Sequence, residues 1–275
     1  MSAASREAFA QAVRADPVDL ARACLLVGGE VQEDLDPSAG LRALDDLAAA
    51  ARGHVPTDGT PAQAAEGLRR ALGERAGFAG SDGDYADVRG SLLHEVLRRR
   101  SGLPLTLSVV WVEVAQRLGV PARAVALPGH VVVAVGAGRP VHVDPFTGGT
   151  LLTPADLSSL VQRATGQPLR PEHLDPAEPV DLLLRLLTNV RALAARSDAL
   201  LGTVRTRLWA VELSLLLPGA PLVLRRERGE LLVRLGDHLG GAAEIERWAE
   251  VVEAADPQAA EQGRRSARLA RSRLN

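Results

Sequence analysis

The chain of 275 residues contains one cysteine, one tyrosine and no lysine, and aromatic residues make up only 3% of it. A single thiol excludes an internal disulfide and a thiolate metal cluster. The net charge of −2 leaves no basic face of the kind that nucleic acid or anionic lipid requires. All positive charge is arginine, which accompanies an excess of alanine, glycine and leucine as the mark of a GC-rich genome and carries no functional information. No segment reaches ~18 uninterrupted apolar residues. The opening residues, MSAASREAFAQAVRADP, are polar and acidic where a secretion signal needs an apolar run. These absences point to a cytoplasmic protein with no membrane or nucleic-acid partner.

What is present is an ordinary core. Hydrophobic residues make up 46% and charged residues 24%, as in globular proteins. The length suits one compact domain with a helical extension, or two small domains. Apolar residues at helical spacing predict helices over Ser5–Val13, Val18–Val27, Pro37–Ala51 and Pro61–Leu72, a small helical layer without chemical hallmarks. Cys24 lies on the apolar face of the second and reads as a core hydrophobe. A glycine-rich loop follows, holding Phe78 and Tyr85, and Ser91 is placed to cap the next helix.

The stretch from Gly102 to Gly149 organises the rest. Pro104 suits the first position of a helix, where its missing N–H costs nothing. Leu107, Val109, Val110, Trp111, Val112 and Val114 make that helix apolar on most sides, and Gly119 with Pro121 ends it. A strand over Ala122–Leu127, a Pro128-Gly129 turn and a hairpin of His130–Val135 with Val141–Asp144 follow. Alternation puts Val131, Val133, Val135, Val141 and Val143 on one face, to pack on the helix, and His130, Val132, Ala134, His142 and Asp144 on the other. If positions summing to 274 are paired, His130 faces Asp144 directly, with Cβ atoms roughly 4.5–5.5 Å apart. A slip of one residue would send the two to opposite faces. A histidine oriented by a carboxylate is two-thirds of a nucleophilic triad. Equally, the pair could only satisfy two polar groups at a core edge.

Helices are also predicted over Pro154–Thr165, Val180–Ala195, Ala199–Leu217, Leu222–Leu235, Ala242–Ala255 and Gln258–Leu274. The breaks at Leu217-Pro218-Gly219 and Asp256-Pro257 are spaced near a tetratricopeptide-type period. The proline- and charge-rich segment 166–179 reads as a linker before this helical array.

Several motifs together, Gly77-Phe78, Asp84-Tyr85, Ser91-Leu92, Gly102-Leu103-Pro104, Gly119-Val120-Pro121-Ala122-Arg123, Pro128-Gly129-His130 and Asp144-Pro145-Phe146 with Gly148-Gly149, resemble the bacterial SirB-type family of transglutaminase-like proteins. The resemblance runs from about Asp19 to Asp256. It implies an α+β fold: a helical N-terminal layer over 1–76, a papain-like core over 77–165 with a central buried helix against a small antiparallel sheet, the linker 166–179, and tetratricopeptide-like helices over 180–275. By the same resemblance His130 and Asp144 fall on the histidine and aspartate of the triad. The nucleophilic cysteine, counted back along the helix, falls on Pro104, which has no nucleophilic side chain. The cleft would be lined by Pro104, Trp111, Tyr85 and His142.

The reading that follows is a transglutaminase-like pseudoenzyme without cofactor that binds a protein or peptide, possessing a scaffold for catalysis but no thiol. One alternative is a hydrolase or acyltransferase that recruits the hydroxyl of Thr106, Ser108 or Ser91 beside His130 and Asp144. Another is a metal site formed by His130, His142 and Asp144.

Overall fold

The computed structural model describes residues 3–56, 58–196 and 200–273. It is mostly helical, with one small antiparallel sheet, and divides into two compact units, Met1–Leu186 and Leu187–Asn275. None of its described helices is long and apolar enough to cross a membrane.

In the first unit, α1 (Ala3–Ala12), α2 (Leu20–Val27), α3 (Pro37–Ala51) and α4 (Pro61–Leu68) form the helical layer. Asp19, Asp36 and Thr60 cap the last three by accepting backbone N–H groups of the first turn. Cys24 is buried among apolar side chains as expected, and burial, with the carboxylates of Glu113 and Asp19, pushes its thiol far above the ordinary range. The fourth helix does not run unbroken to Leu72: beyond Leu68 it widens into a π-type turn over Arg69–Arg75. Within that turn only glycine fits at position 73, because a Cβ on Gly73 would lie 2.0 Å from the Gly148 carbonyl oxygen.

Short 3-10 turns over Asp82–Ala86 and Val88–Ser91 lead into α5 (Leu93–Arg99). Ser91 therefore ends a turn and is not the helix cap; Leu92 holds that position without a side-chain bond, and the buried Ser91 hydroxyl has no hydrogen-bond partner. The central helix α6 (Pro104–Arg117) starts on Pro104, and it is buried from Pro104 through Val112.

The sheet runs β1 (Ala122–Val125), β2 (Val132–Val135), β3 (Val141–Asp144), β4 (Thr150–Leu152), in that order and all antiparallel. The fourth strand was not anticipated from the sequence. The hairpin register also differs from the expected one: Val133 pairs with Val143 and Val135 with Val141, so paired positions sum to 276. Pro140 has no N–H to give a ladder and confines β3 to residues from Val141 onward. A shift of two keeps every side chain on its expected face.

Both faces of the hairpin are core. Val131, Val133, Val135 and Val143 are fully buried, and β2 contacts both α4 and α6. The other face is covered by α7 (Pro154–Thr165), whose Leu157 and Val161 pack with Val125, Leu127, Val132 and Ala134. Leu169 and Leu174, from the segment 166–179, pack against the same cluster. That segment also bonds to β1, where Ala177 N–H donates to the Ala124 carbonyl at 2.9 Å. The helix α8 (Pro179–Ala195) follows, and the division between the units falls within it.

In the second unit, α9 (Leu200–Ser214), α10 (Val223–Arg234), α11 (His238–Val252) and α12 (Pro257–Ser272) pack in sequence, each against the next. Here α11 starts four residues before the predicted Ala242 because Asp237 caps it through Gly240 N–H. Gly229 and Gly241 let α10 and α11 touch, since a Cβ on Gly229 would lie 2.7 Å from the Gly241 carbonyl oxygen. Ala199 and Leu274, the expected ends of two helices, lie outside the described residues.

Candidate functional site

Leu127-Pro128-Gly129-His130 forms a tight turn closed by His130 N–H donating to the Leu127 carbonyl at 3.2 Å. Proline at its second position and glycine at φ +78° at its third are the type II pattern. A side chain at Gly129 would also collide with α7, because its Cβ would lie 2.5 Å from that of Ala164. The turn delivers His130 just before β2 begins.

Asp144 ends β3 and caps the turn Pro145–Thr147, accepting Phe146 N–H at 2.9 Å on Oδ1. Its backbone carbonyl accepts Gly149 N–H at 2.8 Å, which folds the Asp144–Gly149 segment back on itself. The glycines at φ +71° and +86°, Gly148 and Gly149, allow that reversal.

His130 Nε2 lies 2.9 Å from Asp144 Oδ1. In register, Asp144 falls level with Val132, so the two side chains meet as diagonal neighbours and not as a direct cross-strand pair. A carboxylate only accepts, so Nε2 carries the proton and Nδ1 is the acceptor of the neutral ring. Both side chains are largely buried, 11% and 5% exposed, which shields the pair from competing water.

The Phe146 ring packs edge-on to the imidazole with centroids 6.1 Å apart, and Tyr85 leans on its other side at 5.4 Å. Gly80 makes room for it: a Cβ there would lie 1.9 Å from the Phe146 ring. Burial pushes the Tyr85 phenol up, the carboxylates of Asp144 and Asp82 add to the effect, and Arg185 opposes it. Asp84 anchors the Tyr85 loop, its buried Oδ2 accepting Ser81 N–H, Ser81 Oγ–H and Ser101 Oγ–H at 2.9, 2.8 and 2.6 Å.

A cavity of about 500 Å³ opens on the pair, bordered by Tyr85, His130, Asp144, Phe146, Leu152 and Arg163, among others. A second hollow of about 580 Å³ follows α7 and shares Ser159 and Arg163 with it. Of the residues expected to line the cleft, Tyr85 borders the cavity. Pro104 and Trp111 are buried within α6, and Trp111 packs against Phe78 with its Nε1 unpartnered.

His142 is level with Ala134 on β3 and does not border the cavity; burial first, and then Arg123, pushes its pKa down. Among the described residues no group of three or more His, Cys, Asp or Glu is placed to hold a metal, so His130, His142 and Asp144 do not assemble as one. The candidate hydroxyls are equally withdrawn. Ser108 Oγ donates to the Val131 carbonyl at 3.3 Å, Thr106 and Ser91 are buried, and none of the three borders the cavity.

Three contributions were not seen in the sequence. In the sequence Phe146 is only part of a motif, and its contacts with His130 and Tyr85 give it a place on the cavity wall. The α7 residues Asp156, Ser159, Leu160 and Arg163 line the cavity because that helix lies over the sheet. Arg185, from α8, donates to the carbonyls of Leu127 and His130 at 2.9 and 3.0 Å across more than fifty residues of chain, a spacing no local pattern reveals.

Residues 38–188 match the family model described as the transglutaminase-like superfamily. Over 187 residues the chain is 32% identical to a UPF0162 protein of Xylella fastidiosa, an alignment spanning 66% of this chain and 65% of that protein. A UPF0162 protein of Pseudomonas aeruginosa is 31% identical over 210 residues, 76% of this chain and 77% of its own. A stretch of 143 residues is 27% identical to human F-box only protein 21, covering 49% of this chain and 22% of that protein.

Proposed function

The chain belongs to the transglutaminase-like superfamily, and from that premise we propose that it is a non-catalytic member that binds a peptide or protein segment in the cavity beside His130 and Asp144. The observation that carries this reading is Pro104, buried at the start of α6 where the family resemblance expects the nucleophilic thiol. Cys24, the only cysteine, is buried in the helical layer with its thiol pushed up, which argues against it as a substitute. With the nucleophile gone, His130 Nδ1 remains an acceptor for a ligand, and Tyr85, Phe146 and Leu152 supply wall. The C-terminal helices, read as a tetratricopeptide-like array, would offer a second protein-binding surface, and the protein would work in the cytoplasm.

Purified full-length protein is expected to show no peptide hydrolysis or amide transfer that His130→Ala abolishes. Peptides selected on it from a random phage library should lose about tenfold or more in affinity to Tyr85→Ala or Phe146→Ala, the usual effect of truncating an aromatic anchor. Metal-independent turnover that disappears in His130→Ala would overturn the proposal.

A second reading, a hydrolase or acyltransferase with a hydroxyl nucleophile, is favoured by one observation: the buried Ser91 hydroxyl has no hydrogen-bond partner. Turnover lost in both Ser91→Ala and His130→Ala would establish it.

A further inference from the structure

His130 stands outside the β2 ladder, which begins at Val132, so sheet hydrogen bonds do not fix its backbone. Its turn has little to hold it from within. Pro128 has no N–H, and closure rests on the 3.2 Å bond from His130 N–H to the Leu127 carbonyl. Arg185 reaches this turn from α8 and donates Nη1–H to the Leu127 carbonyl at 2.9 Å and Nη2–H to the His130 carbonyl at 3.0 Å. The two nitrogens of one planar fork thus set the spacing of the first and last carbonyls of the turn.

Among the described residues no carboxylate pairs with Arg185, and its side-chain donors go to those two carbonyls. Burial pushes its pKa down, and the nearby Tyr85 phenol opposes that shift. A guanidinium taken out of water without a carboxylate is costly, and an aliphatic side chain would fill the same space more cheaply. What the aliphatic chain could not do is hold the two carbonyls.

We propose that Arg185 is a positioning residue for the His130–Asp144 pair, its guanidinium bridging the Leu127 and His130 carbonyls so that the imidazole meets the carboxylate. The inference rests on the reading that this pair is the working end of the cleft. It concerns the ligand-free geometry, so it can fail while peptide binding stands, and the reverse.

The test is the ring 15N spectrum of His130 in the full-length protein, recorded on the alkaline side of imidazole titration. The native chain should show a single tautomer protonated on Nε2, as the bond to Asp144 demands. Arg185→Met should give a mixture of both tautomers while far-ultraviolet circular dichroism stays native. Arg185→Lys, whose point charge reaches one carbonyl, should fall between the two. Arg98→Ala, which removes an exposed side chain of α5 that pairs with Glu95, should match the native spectrum. A folded Arg185→Met with the native tautomer overturns the proposal. If that variant does not fold, Arg185→Lys decides in the same way; if neither folds, Arg185 is a structural residue and the proposal falls.

Discussion

At the scale of single residues, the molecule separates polar groups that are answered from those that are not. Asp144 accepts from an imidazole and a backbone N–H, and Ser108 donates to the Val131 carbonyl, so neither has an unmet demand. His94 is different. Its ring is largely buried, its Nδ1 has no partner, and it lies so close to Gly28 that a Cβ there would come within 2.3 Å. Burial pushes its pKa below the ordinary value; Glu95 opposes the shift and Arg98 reinforces it. The folded state therefore prefers the neutral ring more strongly than the unfolded chain does. Above about pH 6.5, the ordinary histidine value, both states hold His94 neutral and it imposes no penalty. As pH falls below that value the unfolded chain takes up the proton first, and stability drops until the folded pKa is passed. His142, also shifted down, adds to the same limb. Urea midpoints should accordingly fall between pH 7.5 and 5. His94→Leu, which removes the unpartnered nitrogen, should flatten that fall and leave stability at pH 7 equal or higher. Parallel pH profiles for the variant and the native chain would exclude His94 as a source of acid lability.

At the scale of elements, the loop that carries Tyr85 shows how much a few buried hydrogen bonds organise. Three donors converge on Asp84 Oδ2, two from Ser81 and one from Ser101, tying both ends of the 81–101 stretch to one carboxylate. Hydrogen bonds to a charged group are worth about 1.5–3 kcal/mol each, with a further penalty when buried partners are left unpaired. Asp84→Ala is therefore expected to cost about 2–4 kcal/mol in chemical denaturation and to broaden the Tyr85 ring signals as its packing on Phe146 loosens. A loss under about 0.5 kcal/mol, the range of ordinary surface changes, would mean the loop is held by something else. None of this was readable in the local pattern, where Asp84 and Tyr85 were only a motif. Other elements were readable for definite reasons. Pro104 and Gly119 bracket α6 because proline suits a first turn and glycine ends a helix, and the observed Pro104–Arg117 follows. Strict alternation sorted the hairpin faces, but the register depended on Pro140, and alternation cannot register a shift of two. The three-residue β4 is too short to show a period. Nearness to Pro104 in the chain says nothing about which way Thr106 and Ser108 are buried, and neither borders the cavity.

At the scale of the whole molecule, the question is where the unit that holds His130 ends. Composition marks 166–179 as the place to cut, since proline and charge are frequent there. The contacts of that segment argue otherwise. Leu169 and Leu174 pack on the Val125–Val132–Val161 cluster, Ala177 bonds to the edge of β1, and Arg185 follows eight residues later on the His130 turn. Burying one leucine fully is worth about 1.5–3 kcal/mol, so losing two partly buried ones with a strand-edge hydrogen bond removes about 3 kcal/mol. That is a large fraction of the 5–15 kcal/mol typical of a domain. The family match, residues 38–188, and the first compact unit, through Leu186, both reach past the segment into α8. A chain ending after Ala195 keeps all of these contacts. We expect this longer fragment to melt cooperatively and to keep the single His130 tautomer. The fragment ending after Gly166 should melt several degrees lower or fail to fold, with the tautomer lost where it can be recorded. Equal melting temperatures and equal His130 spectra for the two fragments would show that 166–185 is a tether, and that the turn holds His130 by itself.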